Sequence, residues 1–314
     1  MESLKNAFFS NRVGHAYLFS GEKGIGKTTL AKAFAALLLC SEPNGDEPCG
    51  RCKPCLLLKN SSNPDFCLIE PDKGTIKIEA IRQMQDDIMV KPLYSERKVY
   101  IIRDAETMTM QAQNCLLKTL EEPPRFAVII LTTPSLYGLK ETIRSRILKY
   151  NLKKNTFREV LELLNRLYSA SRSNEFIASY SGGIIGTAMK LAGSENFDAL
   201  RNEIIELADQ VGREGLVAVF DKYDIFEKNK EDIDTILDMM EIFYRDILVC
   251  KRTRNEGMLI NSDKKDIIID SAKRYTSKKL VDNIEIINTT RSNLNYNTNY
   301  QLSIEVMLMK LQEA

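Results

Sequence analysis

Four short apolar runs, the first three of them followed by residues that read as helix, organise the first half of this chain. They are Ala16-Tyr17-Leu18-Phe19, Asp65-Phe66-Cys67-Leu68-Ile69, Lys98-Val99-Tyr100-Ile101-Ile102 and Val128-Ile129-Ile130-Leu131-Thr132-Thr133. Each is short enough to be one buried strand. Leu30, Ala33, Phe34, Leu37 and Leu38 predict a helix after the first, and Ile78, Ile81, Met84 and Ile88 predict another after the second. A third runs from Met110 to Glu122, where Pro123-Pro124 must stop it because proline has no N–H to give and clashes with the preceding turn. Continuous apolar runs, rather than alternation, describe strands covered on both faces, so this part of the chain is α/β with a parallel sheet. Leu4, Phe8, Phe9 and Val13 predict a short helix ahead of the first strand.

From about residue 156 the strand signal disappears. Val160, Leu161, Leu163, Leu164 and Leu167 mark one helix, and Phe176, Ile177 and Tyr180 a second. Ser181-Gly182-Gly183 breaks the pattern before Ala188, Met189, Leu191 and Ala192. Residues 197–314 read as helical throughout, with breaks near Gly212–Gly215, Thr253–Gly257 and Asn293–Asn299. The expected organisation is therefore an α/β module over 1–154, a small helical domain over 155–195 and a helical domain over 196–314.

Composition narrows the class. A chain of 314 residues is long for one core. An apolar content of 44% with 28% charged residues is that of an ordinary globular protein, and no stretch of about 18 uncharged apolar residues is present to span a bilayer. Neither a membrane protein nor a secreted one is expected. With no signal peptide visible after Met1, a cytoplasmic location is. The net charge of +1 gives no global pull towards nucleic acid, so any DNA contact must be local or shared with partners.

The chemistry concentrates in two places. Gly21-Glu22-Lys23-Gly24-Ile25-Gly26-Lys27-Thr28-Thr29 follows the first strand and opens a helix, which is the context of a phosphate-binding P-loop. Gly21, Gly24 and Gly26 let backbone N–H groups turn inward, Lys27 reaches the β/γ-phosphates, and the Thr28 hydroxyl can join a Mg²⁺ shell beside Thr29. ATP with Mg²⁺ is thus a possible cofactor. The third strand ends in Arg103-Asp104-Ala105-Glu106, where P-loop ATPases place carboxylates for Mg²⁺ and water. Thr132 and Thr133 end the fourth strand at the edge where ligands sit in open α/β sheets, and either can be the phosphate sensor, with Thr133 the preferred candidate.

Of the seven cysteines, Cys40, Cys49, Cys52 and Cys55 cluster in the zinc loop 40–55, amid Pro48, Gly50 and Pro54. Four thiolates on a tight loop match closed tetrahedral zinc with no position left for a substrate, so this site is read as structural. Cys67, Cys115 and Cys250 lie in apolar or helical contexts and read as small core residues. His15 has no titratable partner in sequence and reads as a packing or hydrogen-bonding residue.

Taken together these residues resemble one family, the AAA+ clamp-loader ATPases of bacterial DNA polymerase III, and within it the δ′ branch. The carriers are His15–Gly21 running into the P-loop, the four-cysteine array, Lys98–Ile102, Gln113–Pro124 and Arg144-Ser145-Arg146. Asn295-x-Asn297 and Leu302-Ser303-Ile304-Glu305 add a weaker match. The resemblance implies a AAA+ module with a parallel five-stranded sheet and a zinc module, a helical lid and an all-α collar. It implies assembly with τ/γ and δ subunits into a hetero-pentamer, which loads a sliding clamp onto primed-template DNA.

Set against active relatives, the chain departs at two points. Arg103-Asp104 replaces the family's Asp-Glu pair, and Thr187 stands where active relatives place an arginine that touches the γ-phosphate. Phosphate binding is expected to survive in part while hydrolysis is weak or absent. Ser145-Arg146-Ile147 resembles the family's Ser-Arg-Cys motif, whose arginine acts as a finger in the adjacent subunit's ATP site. Without the resemblance, Arg144, Arg146, Lys149, Lys153 and Lys154 read as a solvated basic face. The same motifs also suit two other functions: an active τ/γ-like motor in which Asp104 takes the metal role, and a P-loop kinase or transferase with a zinc-stiffened lid. The latter leaves Leu120–Pro124 and the helical C-terminal half without a role.

Overall fold

A computed structural model describes residues 2–169, 172–211, 223–253, 256–296 and 298–313. The chain divides into two compact units, Met1–Asn155 with Gly183–Gly186, and Thr156–Gly182 with Thr187–Ala314.

In the first unit, α1 (Glu2–Phe9) leads to β1 (Ala16–Ser20), α2 (Lys27–Leu39), α3 (Lys53–Lys59), β2 (Phe66–Ile69) and α4 (Ile78–Ile88). Then come β3 (Lys98–Ile102), α5 (Met110–Glu121), β4 (Ala127–Thr133), α6 (Glu141–Arg144) and β5 (Leu148–Asn151). The five strands are all parallel, in the order β2-β3-β4-β1-β5. β1, β3 and β4 are buried at every position, as their apolar runs predict.

Successive side chains in a strand point to opposite faces, and the sheet accordingly carries two cores. Leu18, Tyr100, Ile129 and Leu131 pack with Ile81 and Met84 of α4 and Leu116 of α5. Tyr17, Phe19, Val99, Ile101 and Val128 pack with Leu4 of α1 and Phe34 and Leu38 of α2.

Three features differ from the sequence reading. β5 is an edge strand, paired with β1 from Tyr17 opposite Leu148, and largely exposed, so no apolar run announces it. α3 forms inside the cysteine region, with Pro54 in the first turn, where the lost N–H costs nothing. His15 is exposed, and its contribution is a backbone carbonyl that accepts the Ile129 N–H at 2.9 Å.

Helices make up the second unit among the described residues. Thr156 and Glu159 form a reciprocal capping box at the start of Phe157–Leu167. Arg172–Tyr180, Phe197–Val211, Ile233–Thr253, Ser277–Asn295 and Tyr300–Glu313 bury Phe176, Ile204, Phe243, Ile287 and Leu308. Breaks follow Thr253 and Asn295 as the polar residues predict, and the expected break at 212–215 lies outside the described residues.

Candidate functional site

β1 delivers the P-loop to the C-terminal edge of the sheet. Gly26, the N-cap of α2, has φ 104°, a left-handed conformation that a side chain strains against. A Cβ on Gly21 would stand 2.9 Å from the Leu152 carbonyl oxygen, so a close approach of β5's exit also requires glycine there. Gly24 bears on the loop differently: its carbonyl accepts the Gly186 N–H at 2.8 Å, and Gly186 lies against it too closely for any side chain.

α2 has no side-chain cap, leaving its first N–H groups for an anion, which the helix dipole also favours. Lys27 is buried and donates to the Gly21 carbonyl at 2.8 Å and the Glu22 carbonyl at 2.9 Å. Burial lowers its pKa from the ordinary lysine value, while the Asp104 and Glu106 carboxylates oppose the shift. Thr28 is half-buried and Thr29 exposed, both in the first turn of α2.

The turn after β3 is irregular for a reason. Asp104 adopts a left-handed conformation, φ 50° and ψ 54°, and donates its N–H to Thr132 Oγ1 at 3.3 Å. Arg103 Nη1 pairs with Glu70 at the end of β2, at 2.5 Å, and its Nε lies 3.4 Å from Asp104 Oδ2. The carboxylates acting on Lys27 are therefore Asp104 and Glu106. Glu106 Oε2 is buried with no hydrogen-bond partner among the described residues, and its Cβ lies under Gly138. Only the fold reveals that proximity, since the turn between β3 and α5 sets it. Thr132 and Thr133 are fully buried, and the Thr133 hydroxyl donates to the Ser135 carbonyl at 2.6 Å.

Ser145 and Arg146 lie elsewhere. β5 runs parallel to β1 and begins opposite Tyr17, so Arg146, two residues before it, belongs to the N-terminal edge of the sheet. The P-loop belongs to the opposite edge, one strand length away, about 16 Å for five residues. Arg146 Nη1 donates to the Thr142 carbonyl at 2.9 Å and to Ser145 Oγ at 3.3 Å, and Nη2 pairs with Glu121 Oε1 at 2.9 Å. Glu121 lies within the Gln113–Pro124 motif, and nothing in the spacing shows that it meets Arg146.

The four clustered cysteines do converge. Their sulfurs lie within 4.8 Å of one another, with Cys40 Sγ and Cys52 Sγ 3.9 Å apart. Tetrahedral zinc with bonds of about 2.3 Å sets its sulfurs about 3.8 Å apart, so the donor set fits that ion. Cys49 donates its N–H to Cys40 Sγ and Cys52 its N–H to Cys49 Sγ, both at 3.3 Å. Burial opposes ionisation of Cys52, but the N–H groups of Cys55 and Ser41 outweigh it and bring the thiol down to about 6. Burial and the Cys52 thiol push Cys55 up to about 12. Cys55 itself stands in the first turn of α3, so the candidate ligands span a loop and a helix rather than a loop alone.

Comparison with known proteins agrees with this architecture. A family model described as DNA polymerase III, delta subunit, matches residues 1–156, and one described as its C-terminal part matches 195–313. DNA polymerase III subunit delta′ of Bacillus subtilis is 31% identical over 317 residues, covering 100% of this chain and 95% of that protein. Subunit tau of the same organism is 28% identical over 337 residues, covering 99% of this chain but 59% of tau. A solved DNA polymerase III gamma subunit-related protein from Thermotoga maritima shares the fold, with 20% identity, a TM-score of 0.51 and 99% and 98% coverage. The chain belongs to the DNA polymerase III δ′ family of AAA+ clamp-loader subunits.

Proposed function

We propose that this chain is a weakly hydrolysing or non-hydrolysing clamp-loader subunit that lends Arg146 to the ATP site of a neighbouring τ/γ subunit. The observation that carries the reading is the placement of Arg146 and the P-loop at opposite edges of one sheet. An arginine one strand length from its own loop cannot serve that loop, but in a ring of like modules it meets the next one. A permanently charged, forked guanidinium is suited to γ-phosphate oxygens, and a finger supplied in trans contributes about 10³–10⁵ in rate. At the chain's own loop, the backbone cradle and Lys27 support phosphate binding. Arg103, tied to Glu70, supplies no carboxylate for Mg²⁺.

On this reading Gly21, Gly24, Gly26, Lys27, Thr28 and Thr29 hold nucleotide, with Thr133 near the phosphates at the strand edge. Zinc held by Cys40, Cys49, Cys52 and Cys55 braces the region between α2 and β2 and takes no part in chemistry. The partners are τ/γ and δ subunits, the sliding clamp, and primed-template DNA through the assembly, in the cytoplasm. Among the described residues no helix is long and apolar enough to cross a membrane.

A second reading keeps the chain as a motor, favoured by the two carboxylates, Asp104 and Glu106, that act on Lys27. Two measurements separate them. The purified chain is expected to show negligible ATPase with clamp and primed DNA, and Arg146→Ala in a reconstituted loader is expected to depress turnover at the partner's site with assembly unchanged. Robust turnover by the chain alone establishes the motor reading, and an unaffected loader removes the finger.

A further inference from the structure

We propose that Glu121 is a positioning residue for Arg146, holding the guanidinium in the orientation in which it meets a neighbour's phosphates. The inference rests on the finger reading above. Glu121 is the last residue of α5, and its Oε1 accepts from Arg146 Nη2 at 2.9 Å across the α5–α6 junction. Nη1 is held by the Thr142 carbonyl and Ser145 Oγ. A guanidinium has more N–H donors than these three contacts use, so a phosphate can be met without releasing Glu121. A long side chain that would otherwise sample many rotamers is fixed before the neighbour arrives, and its ordering entropy is spent during folding rather than at engagement.

A second observation separates this role from helix stability. Glu121 and Glu122 put two carboxylates at the C-terminal end of α5, the negative end of its dipole, where acids are unfavourable. The local helix would be better served by a neutral or basic residue. The carboxylate is thus explained by its partner rather than by the helix that carries it.

The pair is partly exposed, with 38% and 51% of the side chains accessible, so its effect is that of a surface ion pair. In a reconstituted loader containing the full-length chain, Glu121→Gln is expected to lower the kcat of ATP hydrolysis about two- to fivefold, with KM for ATP unchanged. Its melting temperature is expected to be equal or higher. In an Arg146→Ala background the same substitution is expected to do nothing further. If Arg146→Ala lowers turnover but Glu121→Gln matches the wild type, the positioning role is overturned while the finger stands. An additional loss from Glu121→Gln in the Arg146→Ala background also overturns it, because Glu121 would then act by another route. A loader indifferent to Arg146→Ala removes the finger and this inference with it.

Discussion

Gly186 illustrates how a residue without chemistry governs a site that has it. Its N–H is donated to the Gly24 carbonyl, and a Cβ there would lie 2.7 Å from that oxygen and 2.9 Å from the Gly24 Cα. Both are backbone atoms, which cannot swing aside as a side-chain tip does, so Gly186→Ala must move the P-loop. Overpacking of this kind costs about 1–3 kcal/mol. The variant is expected to melt several degrees lower and to bind a fluorescent ATP analogue more weakly, both measurable on the isolated chain; unchanged affinity would show that the loop does not depend on this contact. The P-loop glycines are legible in sequence because their spacing is fixed by phosphate geometry. Gly186 is not, since it approaches the loop from more than 150 residues away in the chain.

At the scale of elements, what the sequence revealed was what burial had written into it. β1, β3 and β4 are apolar because both faces are covered, and α2, α4 and α5 carry the matching stripes. β5 has an exposed edge and reads Leu148-Lys149-Tyr150-Asn151; it is a strand because β1 pairs with it, not because its residues prefer one. Between α2 and β2 the one regular element among the described residues is the short α3, and the proposed zinc would brace the rest. Metal analysis is expected to return about one zinc per chain. Chelation is expected to lower the melting temperature, since ion binding to the folded site contributes directly to stability. Absence of metal with all four thiols reactive would remove that element's anchor.

Over the whole molecule, the second unit is joined by a polar contact that no periodicity forecasts. Arg201, buried over the Phe176 ring at 3.9 Å, pairs with Asp263 at 2.6 Å and donates to Asn261 at 2.8 Å. It thereby links residues from three separate stretches of sequence. Burial raises the Asp263 pKa, but the Arg201 hydrogen bond and charge prevail and hold it below the usual carboxylate value. A carboxyl depressed in the fold contributes stability that is complete above its unfolded pKa, near 4, and is lost as pH falls through the folded value. Asp263→Asn leaves a buried guanidinium without its carboxylate and is expected to cost about 3–5 kcal/mol at neutral pH, measured by denaturant unfolding. The gap from wild type should narrow below about pH 4, and a gap that stays constant with pH would refute the assignment.

The sequence by itself determined the parallel α/β module, the helical remainder, the P-loop and the cysteine array, because each follows from local spacing or from burial on both faces. Tertiary structure alone decided the edge strand, the partners of Arg103 and Arg201, and the separation of Arg146 from the P-loop. Those depend on strand order and on side chains meeting across distant segments, which local pattern does not encode.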